Sequence, residues 1–436
     1  MKPKVLFVLE SYLPNAAGGT ERYVDQLIRL IDKACFEPEV LISSSDPKQS
    51  DYSYEGLRVQ VFHVPCREKL KRLNGLKPPS GMADFKQKIK ETEPDLVHFH
   101  SFGRAVNSFH LQWVKQQGIK TVFTSHLGGF FCVKGDFRLF DRGLCDGRVS
   151  VQRCMHCLLI SRGLSAPKAK GLASVLARMP QPLYHLLPPQ FHIVQNRLNE
   201  FERVRKYADS VIAIAPWIEK AFAINGMEKN LELVLQGIKD PGSREAPAKQ
   251  PGNDMLKCLF VGRMNPSKGF HLLAEAAEQL DSRRFRLDIY TMQSGDEAYY
   301  HRYKAWANKR KNIGWFEQVP NAELMKRMPS YDLLILPSIS NEMAPLVILE
   351  AYANKVPVLG SSYPAVADMI EHKRTGLHFE SNNAMDLTRK LQQLSENPGP
   401  IAAWSMNTKK VRSFDELAND METIYSALIN ENSHTC

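Results

Sequence analysis

The chain has 436 residues, 43% of them hydrophobic and 24% charged, with no low-complexity tract; this excludes a disordered protein and is long for one core, so two domains are expected. No run nears the roughly 18 to 20 apolar residues that span a bilayer, and the N-terminus turns polar after one short apolar stretch, which predicts neither a membrane-spanning nor a secreted protein. Eight cysteines are too few for a disulfide scaffold, and the net charge of +10 points to anionic company (phosphorylated ligands, nucleic acid or an acidic membrane), unless it only keeps the chain soluble.

Residues 4–9 (KVLFVL) predict a strand, followed by the loop ESYLPNAAGGTER and a helix through YVDQLIRLIDKA, whose apolar residues at 24, 27, 28 and 31 keep helical spacing. Strands follow at EPEVLISSS, LRVQVFHVP, DLVHFHS and KTVFTSH, with helical patterns at ADFKQKIKET and around 105–117. Such alternation predicts βαβ units and a parallel sheet. From about 130 to 206 the rhythm fails, which predicts an insertion lacking regular structure, and ADSVIAIAP and LELVLQGI restore it. The Pro-, Gly- and charge-rich KDPGSREAPAKQPGND (239–254) is the predicted linker between a first domain, 1–238, and a second, 255–410. The second repeats the alternation through MLKCLFVGRM, FRLDIYT, NIGWFEQV, DLLILPS, KVPVLGSS and GLHFES. The end, 411–436, carries an amphipathic helix with apolar residues at 414, 417, 421, 424, 425 and 428. The fold class is therefore α/β, with two doubly wound Rossmann-like domains.

Doubly wound sheets bind ligands beyond the carboxyl ends of their strands, so the loops after strands are where chemistry is sought. Gly18 and Gly19 follow the first strand and precede a helix; they let backbone amides approach a phosphate, or they serve turn geometry alone. In the second domain Arg263 directly follows the glycine that closes the strand CLFVG, and Lys268 precedes Gly269 and a helix. Two cations there suit a diphosphate, and would stabilise charge developing on it as a bond to its outer oxygen breaks. In SNEMAPLVILEAYA (340–353), Glu342 and Glu350 bracket seven uncharged residues, with Pro345 suited to a first helical turn. Carboxylates accept hydrogen bonds from hydroxyls, and the helix-start amides of Met343, Ala344 and Leu346 suit an anion, so the segment can hold a polyol, a phosphate and a second polyol in order; the alternative is a core helix with acids favouring its dipole.

Strand-VGR-(x)4-KG-helix followed by Glu, seven residues and Glu resembles the retaining nucleotide-sugar glycosyltransferases of family 4, which have the two-domain GT-B fold. The likeness also covers the GG at 18–19, PDLVHFHS (94–101), TSH ending in His126, ADSVIAIAPWIEKAF (208–222) and HKRTGLHFE (372–380). It implies two domains facing across a cleft where donor and acceptor meet, with the C-terminal helix crossing back to the first domain. It implies transfer of a hexose from a UDP- or GDP-sugar to a glycan or lipid-linked acceptor, with retention and with no metal required. Carried over to this chain, Arg263 and Lys268 would bind the diphosphate, Glu350 the ribose and Glu342 the sugar. Amides from Met343 through Ala344 and Pro345 to Leu346, and at Gly18 and Gly19, would line the donor, and His126 would contact its sugar near the reacting carbon. Departures are Met343-Ala344-Pro345 after the first glutamate, Gln236 where Asn is commoner, and Asp368 where the family has Glu. A role in bacterial surface polysaccharide or lipopolysaccharide synthesis follows from the resemblance; the alternative is a non-catalytic sugar-nucleotide-binding partner on the same fold. No helix-turn-helix, zinc-finger or aromatic-platform motif supports nucleic acid as a partner.

Within the insertion Cys132, Cys145, Cys154 and Cys157 lie in 26 residues, a spacing that suggests a structural zinc clamp or, otherwise, free thiols or a disulfide. Residues 161–206 hold eight Lys or Arg (162, 168, 170, 178, 197, 203, 205, 206) against Glu200 and Glu202, interleaved with apolar GLASVLARM and PLYHLLPPQFHIV. This predicts peripheral contact with an anionic membrane, at the inner face of the cell membrane of a cytoplasmic protein, or a solvated helical hairpin packed on the first domain.

Overall fold

A computed structural model describes residues 2–16, 18–68, 72, 77–180, 183, 189–239, 255–317 and 319–431, with backbone only at 189–191. The chain divides into two compact units, Met1–Leu235 with Phe414–Cys436, and Gln236–Ser413. Nearly all of the linker predicted at 239–254 lies outside the described residues, as do 432–436.

The first unit is built on an eight-stranded sheet. Its strands are β1 (Lys4–Leu9), β2 (Glu37–Ser44), β3 (Tyr52–Tyr54), β4 (Leu57–His63), β5 (Leu96–His100), β6 (Lys120–Thr124), β9 (Ser210–Ala213) and β10 (Leu231–Leu233), in the order β10-β9-β6-β5-β1-β2-β4-β3. All pairs are parallel except β3 with β4. The central strands are buried almost end to end because helices cover both faces, with His98 and His100 in β5 and Lys120, Thr121 and Thr124 in β6 as buried polar residues. The helix Gly19–Leu30 buries Tyr23, Val24, Leu27 and Ile28, the stripe its spacing predicts. The last helix, Phe414–Asn430, belongs to this unit and packs against Gly19–Leu30. It buries Phe414, Leu417, Met421, Tyr425 and Leu428, and Glu422 accepts a hydrogen bond from the Asp32 amide at 2.6 Å.

The stretch from 130 to 206 is more regular than expected. A small antiparallel pair, β7 (Arg138–Leu139) and β8 (Gly143–Leu144), precedes the helices Val151–Ser161, Ala166–Arg178 and Pro189–Tyr207. The first two form a hairpin with a core of its own, in which Met155, Leu158 and Leu159 meet Ala169, Ala173 and Leu176. Alanines let the helices approach closely but add little to an apolar periodicity, so the sequence pattern reads as broken where the helices are intact.

The second unit holds a six-stranded, all-parallel sheet: β11 (Leu256–Met264), β12 (Phe285–Gln293), β13 (Ile313–Glu317), β14 (Leu333–Leu336), β15 (Val358–Ser361) and β16 (Gly376–Phe379), ordered β13-β12-β11-β14-β15-β16. This is the dinucleotide-binding order, whose direction of winding reverses between its first and fourth strands, here β11 and β14. One core packs Phe260, Phe270, Leu273 and Leu287 on one face, and a second packs Leu259, Leu334, Ile348 and Val366 on the other.

Candidate active site

In the second unit the residues singled out from sequence converge where the winding reverses. Arg263, which is exposed, is the penultimate residue of β11, and Lys268 ends the short turn that follows; the loop after β14 carries Ser338 and Glu342. Lys268 Nζ donates to Glu342 Oε2 at 2.7 Å, and the buried Ser338 hydroxyl donates to Oε1. The side chains of Lys268 and Glu342 are only 21% and 16% exposed, so the pair is partly withdrawn from water. Burial alone would raise the Glu342 carboxyl, but Lys268, Ser338 and Arg263 outweigh it and hold the pKa below the usual glutamate range. Glu342 is therefore a carboxylate at neutral pH.

Two backbone contacts hold these loops together. The Ile339 amide donates to Ser267 O at 2.9 Å, and Gly269, at φ +67°, lies so close to the end of β14 that a Cβ there would stand 1.8 Å from Pro337 O. The glycine after Lys268 is thus required by packing as well as by conformation.

The helix Leu346–Ala353 follows, with Pro345 as its N-cap residue rather than inside its first turn, as Pro345 carries ψ 95° and only the following residue is helical. Met343, Ala344, Pro345 and Leu346 line its start. Glu350 lies on its second turn, where Asn321 Nδ2 donates to its Oε1 at 2.8 Å. Burial raises the Glu350 carboxyl, partly offset by that hydrogen bond. An acid whose folded pKa lies above its unfolded one costs stability as pH rises through that interval. Glu350→Gln is accordingly expected to raise the melting temperature at neutral pH, to bring no gain near pH 4, and to weaken nucleoside diphosphate binding; melting scans at both pH values, with and without nucleotide, check the three signs.

In the first unit, Gly18 is the N-cap of the helix that begins at Gly19. A Cβ on Gly18 would lie 2.5 Å from Glu21 Oε2, and Ser11 Oγ donates to Glu21 Oε1 at 2.7 Å, so a carboxylate already lies against the glycine expected to face a phosphate. His126, two residues beyond the end of β6, is half-buried; its Nε2 lies 3.1 Å from His100 Nδ1 and its ring packs on Tyr23 with centroids 4.7 Å apart. Burial holds its pKa down, at about 3, so His126 is neutral at physiological pH.

Cys132, Cys145, Cys154 and Cys157 line one small cavity together with Lys134, Arg138 and Arg153. All four are free, and Cys157 is bound to the backbone: it accepts from Phe140 N at 3.2 Å and donates to Arg138 O at 3.4 Å. Burial pushes Cys154 up to about 11 and raises Cys145 and Cys157. Among the described residues no three His, Cys, Asp or Glu side chains are arranged to hold a metal ion. The spacing therefore brings the four thiols to one cavity without gathering them, among the described residues, into a group ready to hold a metal ion.

Two family models cover most of the chain: "Glycosyl transferase 4-like domain" over residues 18–234 and "Glycosyl transferases group 1" over 243–411. The chain belongs to the family-4-type glycosyltransferases. The glycosyltransferase is 22% identical over 217 residues to the amylovoran biosynthesis glycosyltransferase AmsK of Erwinia amylovora, an alignment covering 48% of this chain and 53% of that one. It thus spans about half the length of the curated relatives it matches. Among solved structures it resembles sucrose-phosphate synthase from Thermosynechococcus elongatus (TM-score 0.66, 17% identity, 99% and 100% of the two chains covered). It also resembles Anabaena Alr3699/HepE in complex with UDP and glucose (TM-score 0.62, 14% identity, 97% and 99% covered). At these identities the likeness speaks for the GT-B fold.

Sequence reasoning missed Ser338, Asn321, Glu21 and His100 as partners of the site residues. Only His100 carried a signal: His98 and His100, two residues apart on a strand, must share one face. The others act through loops whose proximity no local pattern reports.

Proposed function

We propose that this glycosyltransferase is a retaining, metal-independent hexosyltransferase that moves a sugar from a UDP- or GDP-sugar to a glycan or lipid-linked acceptor in the assembly of a bacterial surface polysaccharide. The observation that carries the reading is the Lys268–Glu342 pair at the reversal of winding, with Arg263 beside it and a helix start following. Arg263 and Lys268 take the diphosphate and stabilise the charge that collects on it as the bond to the anomeric carbon breaks. The amides of Met343, Ala344 and Leu346 add a positive helix end, Glu350 takes the ribose hydroxyls, and Glu342 takes hydroxyls of the sugar. Gly18 and Gly19 offer their amides once Glu21 turns aside, and His126 faces the sugar. UDP in the complex with HepE and the amylovoran pathway named for AmsK support the donor and product classes.

The test is a panel of UDP- and GDP-sugars with purified protein and membrane lipid extract, read by nucleotide release, thermal shift and the anomeric configuration of the product. Turnover of at least one donor with retention is expected. A panel in which none is turned over or stabilises the protein defeats the reading.

We further propose that the acceptor is met at an anionic membrane. No described helix is long and apolar enough to cross one. Of the eight cations at 161–206, Arg197 pairs with Glu200, Arg205 with Glu202, and Arg203 stacks on Phe109 at 3.7 Å and reaches Ser108. The hairpin helix Ala166–Arg178 instead exposes Leu172 (39%) and Val175 (62%) beside exposed Lys168, Lys170 and Arg178. Apolar side chains ringed by cations suit a headgroup region. The protein is expected to float with vesicles containing anionic phosphatidylglycerol and not with phosphatidylcholine alone, and Val175→Glu with Leu172→Glu should abolish flotation; flotation unchanged in that variant overturns this surface.

A further inference from the structure

Three histidines cluster in the first unit: His98 in the middle of β5, His100 at its end, and His126 two residues beyond β6. His98 is fully buried, with Nδ1 2.6 Å from the Tyr425 hydroxyl on the last helix and Nε2 2.8 Å from Thr124 Oγ1, so both of its nitrogens are satisfied. Its ring packs on that of His100 with centroids 3.8 Å apart, and Phe7 stacks on His100 at 5.8 Å. His100 is 2% exposed, and among the described residues it has one hydrogen bond, between Nδ1 and His126 Nε2 at 3.1 Å, and no partner for its buried Nε2.

We propose that His100 is a positioning residue that fixes His126 as the Nδ1–H tautomer and presents that N–H to the donor sugar. The proposal rests on the reading of His126 as the residue beside that sugar. Between two neutral imidazoles one nitrogen donates and the other accepts. If His126 Nε2 donated, His100 would accept through Nδ1 and carry its own proton on Nε2, leaving a buried N–H with no acceptor. If His100 Nδ1 donates, the unpartnered Nε2 holds only a lone pair. An orphaned buried donor is the rarer and costlier of the two defects, so the second arrangement is favoured. His126 then accepts at Nε2 and carries its proton on Nδ1, for which the described residues supply no partner. The packing makes this directional: Tyr425 and Thr124 hold His98, His98 and Phe7 hold the His100 ring, and Tyr23, backed by Phe414 at 5.5 Å, packs on His126. A neutral Nδ1–H donates to a sugar oxygen without placing a second positive charge beside a carbon that itself becomes cationic as the leaving group departs.

The first test needs no donor. In the full-length protein labelled with 15N-histidine, long-range proton–nitrogen spectra, assigned with His126→Gln, are expected to show His126 Nδ1 protonated and Nε2 unprotonated; the opposite pattern, or an exchange average of the two, overturns the proposal. The second uses a donor and acceptor turned over by the wild type. His100→Phe keeps the volume and removes the donor, and is expected to lower kcat by about tenfold while nucleotide affinity stays within about twofold; His100→Asn, whose amide donates from near the Nδ1 position, should restore most of it. Wild-type kcat in His100→Phe, or equal losses in both variants, overturns it. A wild type with no turnover on any donor defeats the transferase reading and leaves the tautomer measurement standing, so the two failures are distinguishable.

Discussion

Replacing Glu342 by alanine is expected to reduce sugar transfer by roughly 10²- to 10³-fold while nucleoside diphosphate binding stays within about threefold of wild type. The carboxylate is held at both oxygens, by Lys268 Nζ on one and Ser338 Oγ on the other, and Lys268 and Arg263 keep it ionised. That arrangement costs desolvation, and a surface carboxylate would serve a merely structural purpose more cheaply. Truncation removes the acceptor for the sugar hydroxyls but frees Lys268, whose ammonium becomes more available to a diphosphate. Binding and turnover should therefore separate. Lys268→Ala is the complementary case: it leaves Glu342 without its main cation, so affinity, turnover and stability should all fall, the last by about 1–3 kcal/mol. Single-turnover kinetics and calorimetric titration with UDP and GDP check both. Activity in Glu342→Ala equal to the wild type would refute its assigned role.

Gly269→Ala is expected to cost the second unit on the order of 3–5 kcal/mol, enough to unfold much of it at growth temperature. Left-handed φ alone costs a non-glycine residue about 1 kcal/mol. The larger part is the 1.8 Å approach of the new Cβ to Pro337 O, an oxygen of backbone that cannot rotate away as a side chain would. Relief requires the loops after β11 and β14 to part, breaking the Ile339–Ser267 hydrogen bond and moving Lys268 from Glu342. Gly19→Ala is the control: its Cβ meets nothing within 4 Å at the first position of a helix, so stability should change by less than about 0.5 kcal/mol. Urea unfolding of both variants, followed by tryptophan emission, separates the cases; a Gly269→Ala midpoint within error of wild type would show that the two loops are not locked. With its stability intact, any loss of transfer in Gly19→Ala reports on close approach of the donor to that amide.

Much of the architecture is legible because it is local. A strand buried on both faces tends to a near-continuous apolar run, and a helix on a sheet to a stripe every third or fourth residue; KVLFVL and YVDQLIRLI show these patterns whatever lies around them. The cations after CLFVG and the spaced glutamates could be singled out because chemistry after a strand of a doubly wound sheet has a short list of places to be. A helical hairpin is legible only as the alternative for 161–206, and its first helix, Val151–Ser161, reads as irregular, because part of the contact is made by alanines that add little to an apolar periodicity. The four cysteines could be singled out together because spacing reports proximity, and the structure does bring them to one cavity; how their thiols are oriented there depends on the fold around them.

Taken alone, the sequence decides which stretches are strands and helices, that they alternate into two doubly wound sheets, and which loops carry cations and acids. It cannot decide which loops meet. Lys268 and Glu342 are 74 residues apart and are joined only because β14 lies beside β11, at the reversal of winding. His98 and Tyr425 are 327 residues apart and are joined only because the last helix packs against the first unit's own core. Strand order and helix docking are settled by how much apolar surface the whole chain can bury at once, a quantity to which every element contributes and which no single window of residues contains.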